Sequence, residues 1–148
     1  MPHYGSDIGS WKNPPPETIR NLIKDAETIA IVGLSPESER PSYRVAEYLK
    51  QNGYRIIPVR PVVKEILGEI VYPDLKSIPE KVDIVDVFRK AEVAMEITEA
   101  SIKIGARAVW LQESIVSPEA FAFGEEAGLT MIMDRCLKKE HRALLGRG

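Results

Sequence analysis

Short apolar runs without alternation are separated along this chain by stretches whose apolar residues recur every three to four positions, and this pattern predicts strands and helices in turn. Ile29-Ala30-Ile31-Val32 has no polar position on either face, as suits a central strand of a parallel sheet covered on both sides. Gly33 ends that run. A polar, proline-punctuated segment from Ser35 to Ser42 follows and leads into a helical pattern over Tyr43–Lys50, with Val45, Ala46, Tyr48 and Leu49 turned inward and Asn52-Gly53 as its cap. Upstream, Pro14-Pro15-Pro16 stiffens the chain before a first helix over Glu17–Ala26, in which Ile19, Leu22, Ile23 and Ala26 share one face.

The remaining elements follow the same logic. Strand two is expected over Tyr54–Val59, where Pro58 favours a late or edge position. The connection after it turns at Gly68, extends briefly through Ile70–Pro73 and makes at most one helical turn over Leu75–Pro79. Strand three is expected over Val82–Phe88, with Asp83 at its entrance and Asp86 near its exit, since a charged carboxylate is costly to bury. Strands four and five fall at Ala106–Leu111 and Leu129–Asp134, and helices at about 90–104, 118–127 and 135–144. Five strands alternating with helices predict an α/β fold: a doubly wound sheet of five parallel strands, order 3-2-1-4-5, with helices on both faces. One domain is expected over 14–145, between a partly ordered arm at 1–13 and a frayed end at 146–148.

Composition narrows the classes. A length of 148 residues with 44% hydrophobic content suits one domain with a real core. Twenty basic against 22 acidic residues leave a net charge of -2, so nucleic acid is not an expected partner, although a local basic patch can still serve a small anion. Cys136 is the only cysteine, which removes disulfides and multi-thiolate metal sites and fits a reducing cytoplasm. No apolar run approaches the length of a membrane span and no leader is expected at the N-terminus, so the expected location is cytoplasmic, with no membrane partner.

Candidate chemistry gathers at the carboxyl ends of the expected strands. Gly33, Ser35, Arg40, Ser42 and the N–H groups of the following helix form an anion-suited strand-to-helix loop. The dinucleotide pattern G-x-G-x-x-G is absent, because Ser35 stands where its second glycine would be, and the phosphate-loop pattern is absent too. Arg60, Arg89, Lys90 and Arg135 follow strands two, three and five and, with Arg40, favour a polyanionic small ligand. Cys136 and His141 lie five apart, on different helix faces, and form no activated thiolate pair; no metal site is expected.

Val32-Gly33-Leu34-Ser35, Arg40-Pro41-Ser42-Tyr43, Leu67-Gly68-Glu69, Val71-Tyr72-Pro73, Ile84–Arg89, Trp110-Leu111-Gln112 and Met133–Lys138, in this order, resemble the small CoA-binding domain proteins. The resemblance covers about Ile19 to Leu144. It implies a Rossmann-like fold similar to the CoA-binding domain of the succinyl-CoA ligase alpha subunit, with coenzyme A or an acyl-CoA across the carboxyl edge. By that resemblance Gly33, Leu34, Ser35, Arg40, Ser42 and Tyr43 belong to the phosphate loop. Val59, Arg60, Pro61 and Tyr72 fall on the nucleotide side, and Phe88, Arg89 and Gln112 on the groove wall or pantetheine side; Lys90 and Arg135 join the expected ligand-binding set as basic residues at the strand ends. Two positions depart from the family pattern: Arg60 replaces a usual asparagine, and Ser114 a usual glycine. The leading expectation is CoA binding without catalysis. The alternatives are a ligase or transferase component acting with a missing partner, and a CoA-responsive protein-interaction module. A homo-oligomer or protein partner stays open.

Overall fold

The computed structural model describes residues 11–146. Most of the expected N-terminal arm, and the last two residues of the expected fray, lie outside the described residues. In chain order the described elements are α1 (Pro16–Asp25), β1 (Thr28–Val32), α2 (Pro41–Gln51), β2 (Arg55–Val59), a small hairpin of β3 (Glu65–Ile66) and β4 (Glu69–Ile70), β5 (Ile84–Val87), α3 (Ala94–Lys103), β6 (Ala108–Leu111), α4 (Pro118–Glu126), β7 (Thr130–Ile132) and α5 (Leu137–Leu144). Among the described residues no helix is long and apolar enough to cross a membrane.

Five strands form one parallel sheet in the order β2-β1-β5-β6-β7. The doubly wound architecture is as expected, but the order 3-2-1-4-5 is not: the third long strand, β5, sits beside β1 and not outside β2. Two residues account for this. Pro58 pairs with Ile31 on one side of β2; having no N–H, it cannot supply a full ladder on the other. That outer side carries a single bridge, in which Tyr72 N–H donates to the Pro58 carbonyl at 3.0 Å and Arg60 N–H to the Tyr72 carbonyl at 3.0 Å. Asp83 in turn ties the start of β5 to β1, its Oδ2 accepting from the Glu27 and Thr28 N–H groups at 2.8 and 3.0 Å.

The absence of alternation in the strands follows from two cores. Ile29, Ile31, Ile56, Ile84, Trp110 and Ile132 pack with Leu22, Leu49 and Leu137 of α1, α2 and α5. Ala30, Val32, Val85, Val87, Val109 and Met131 pack with Ala94 of α3 and Phe121 of α4. Each strand therefore buries both faces. Beyond the β7 end, Asn13 pairs with Met133 through two reciprocal 2.8 Å hydrogen bonds and Trp11 packs on Phe121, ring centres 5.7 Å apart.

Asp86 stands near the exit of β5, as expected, but on a strand whose every residue is buried. It is completely buried; Oδ1 accepts from Gln112 Nε2 at 2.5 Å and Oδ2 has no partner. Burial, only partly offset by the Gln112 bond, pushes its carboxyl up from 3.8 to about 7. The folded chain thus holds a proton that the unfolded chain sheds above about pH 4, so stability falls as pH rises through this window and the loss is complete above about pH 7. Asp86→Asn mimics the protonated acid. Urea unfolding at about pH 4.5 and about pH 8 is expected to show its stabilising effect growing by about 2–3 kcal/mol at the higher pH; an equal effect at both would contradict the assignment. A second substitution probes the junction of β1 and β5. Gly33 has φ +86°, and a Cβ there would lie 2.8 Å from the Phe88 carbonyl oxygen. Gly33→Ala is expected to cost about 2–4 kcal/mol, roughly 5–15 °C in a thermal melt; an unchanged melting temperature would refute the close approach.

Candidate functional site

At the carboxyl end of β1, Gly33 turns the chain while its N–H donates to the Val59 carbonyl at 2.9 Å, holding the turn to β2. The loop beyond is braced by its serines. Ser42 Oγ accepts from the Ser35 N–H at 3.0 Å, and Ser35 Oγ from the Glu37 N–H at 3.1 Å. Both hydroxyls act as acceptors in these bonds and keep their O–H for another partner.

Helix α2 begins at Pro41, two residues before its apolar repeat becomes visible, because proline at the first helical position sacrifices no hydrogen bond. Its N-cap is Arg40, whose side chain makes no cap bond, so the amides of the first turn point outward without a side-chain acceptor. Arg40 is 62% exposed and 3.8 Å from Glu37, a loose surface pair. From β2, the half-buried Arg60 reaches across, donating from Nη1 to the Leu34 carbonyl at 3.1 Å, while its buried Nε has no acceptor. These groups line an open cleft of about 390 Å³ together with Gly33, Pro36, Pro41 and Phe88. Glu37 is the one acid in that lining. The arrangement suits a phosphate: helix amides, two hydroxyls and two guanidinium groups face little opposing charge.

A second cavity of about 230 Å³ lies on the other face of the same strand ends, against α3. Val32, Val59, Leu75, Ile97 and Ala100 make it largely apolar, with Asp74, Arg89 and Glu96 also in its lining. The Arg89 stem separates the two: its Cδ would lie 3.0 Å from a Cβ on Gly33. A larger cavity, about 540 Å³, opens at the opposite edge of the sheet, but its lining balances Arg107 against Asp25 and offers no surplus of positive charge.

Of the residues expected at the site, Gly33, Ser35, Arg40, Ser42, Arg60 and Phe88 meet in the first cleft, and Val59 and Arg89 in the second. Leu34 is fully buried and offers only its carbonyl, already held by Arg60. Gln112 is buried and spends its amide on Asp86. Tyr43, Pro61, Tyr72, Lys90 and Arg135 line neither cleft. Tyr72 serves the β2 edge through its backbone, and Arg135 donates to the Asp134 carbonyl at 2.8 Å. Pro73, Asp74, Leu75, Val93, Glu96, Ile97 and Ala100 line the second cavity without being expected there, since the segment after Tyr72 reads as connection and the inner face of α3 as core.

His141 is buried among aromatic rings, its Nδ1 2.7 Å from the Tyr48 hydroxyl and its ring edge-on to Tyr48 and Tyr54. Burial disfavours its charged form. It braces α5 and lines neither cleft. Among the described residues no group of three or more histidine, cysteine or acidic side chains could hold a metal ion.

Known proteins give this geometry a family. YneT of Bacillus subtilis strain 168, an uncharacterized protein, is 37% identical over 130 residues, covering 88% of this chain and 96% of YneT. A solved hypothetical protein from Pyrococcus horikoshii OT3 has 38% identity and a TM-score of 0.87, covering 99% of this chain and 97% of that one. The ADP-forming acetate–CoA ligase II of Archaeoglobus fulgidus is 28% identical over 95 residues, which are 63% of this chain but only 14% of the ligase. The model of the CoA binding domain matches residues 27–142, from the residue before β1 into α5, and the chain belongs to that family.

Proposed function

We propose that this chain binds coenzyme A or an acyl-CoA across the carboxyl edge of its sheet and by itself catalyses no reaction. The observation that carries this reading is the cleft at the start of α2, where helix amides, Ser35, Ser42, Arg40 and Arg60 surround a space suited to phosphate oxygens. The pyrophosphate would lie over the Gly33 loop, as in the likeness to the succinyl-CoA ligase alpha-subunit domain. The apolar cavity beside Val59, Leu75 and Ile97 would take the adenine, and Phe88 and Arg89 would border the pantetheine arm. Family membership supports the ligand class, and both titratable candidates for chemistry, Cys136 and His141, lie outside the two clefts.

Isothermal titration of CoA into protein confirmed ligand-free by native mass spectrometry is expected to give one saturable site below roughly millimolar concentration. A flat titration would sink the proposal. Arg40→Ala is expected to weaken CoA by about 3–10-fold, the modest effect of an exposed charge-assisted bond, while leaving pantetheine nearly untouched; equal losses would remove the phosphate contact.

A further inference from the structure

Resting on that reading, we infer that Arg60 makes the cleft selective for a ligand with a phosphate monoester in addition to its pyrophosphate, which in this series means CoA over 3′-dephospho-CoA. The side chain is positioned from both ends. Its backbone N–H donates to the Tyr72 carbonyl at 3.0 Å, and its Nη1 to the carbonyl of the fully buried Leu34 at 3.1 Å. With Nη1 engaged, the guanidinium keeps the edge formed by Nε and Nη2, the pair that meets two phosphate oxygens in parallel. Nε is buried without an acceptor, so a small turn of the guanidinium that brings it to a ligand oxygen regains the hydrogen bond that burial denies it.

Charge points the same way. Among the described residues Arg60 makes no ion pair. Glu37, the only acid in the cleft lining, stands 61% exposed beside Arg40. Each phosphate of a pyrophosphate linkage carries one negative charge, whereas a monoester carries close to two near neutral pH. Arg40 and the first turn of α2 stand together on the loop side of the cleft and serve the linkage, which leaves the Arg60 guanidinium, from the end of β2, for a further phosphate. Arg60 also follows Val59 directly, and Val59 lines the apolar cavity proposed for adenine. The residue therefore lies where the ribose must pass between the two clefts, and the ribose carries the 3′-phosphate.

The test compares CoA with 3′-dephospho-CoA by calorimetry on the full chain, for the parent protein, Arg60→Lys and Arg60→Gln. The parent is expected to favour CoA by about 10–100-fold, the range of a charge-assisted bidentate contact. Arg60→Gln should bring the ratio to within about threefold by weakening CoA alone, with Arg60→Lys between them. Two results would overturn the inference while leaving CoA binding intact: a parent ratio near one, or equal losses for both ligands in Arg60→Gln, which would make Arg60 a brace for the Leu34 loop. Absence of saturable binding for either ligand in the parent would remove the inference and the proposed function together.

Discussion

The rest of the structure depends on the close approach of the β1 exit to the β5 exit at Gly33. A side chain at this position would meet the Phe88 carbonyl, and the backbone there adopts a φ that only glycine takes without strain. Because the strands come so near, the Gly33 N–H can reach Val59 while the Arg89 stem lies across the turn. The three strand ends β2, β1 and β5 thus converge beneath one loop. In open parallel sheets this is the switch point, where connections leave to opposite sides and a crevice opens between them. Here α2 covers one side of the crevice and α3 the other, so one turn of backbone divides a polar cleft from an apolar one.

Much of this was legible, and the failures have physical causes. Ile29–Val32 announced a buried central strand because neither face could be polar, and the two cores bear that out. Sheet order was harder, since right-handed crossovers permit several orders. The deciding information lay in Pro58, which denies β2 a second full neighbour, and in Asp83, whose carboxylate ties β5 to β1. Pro58 was readable as an edge signal; the partners of Asp83 were not, because they lie 55 and 56 residues away along the chain. Asp86 looked too polar to bury. Burial is tolerated because the carboxyl is held towards its neutral form and one oxygen finds Gln112.

The departure at Ser114 has a structural counterpart. Ser114 has φ +73°, in the region that favours glycine, and its N–H donates to Asp134 Oδ1 at 2.7 Å. A positive φ is a backbone conformation that glycine takes without strain, and the bond to Asp134, made by a backbone N–H that any residue but proline would carry, holds the turn whatever the side chain. The departure at Arg60 is of another kind. It places a guanidinium in the cleft, and among the described residues that group makes no ion pair. Basic residues after the strands could be counted from the sequence, but only geometry separates Arg60, aimed at the Leu34 loop, from Arg135, which folds back on its own backbone.

The division between titrating and fixed charge completes the argument. Among the described residues Asp86 and His141 are the two buried groups whose protonation burial alters, and both serve the packed interior. The cleft instead presents guanidinium groups, backbone amides and hydroxyls beside one carboxylate, Glu37. Such a surface is suited to holding an anion.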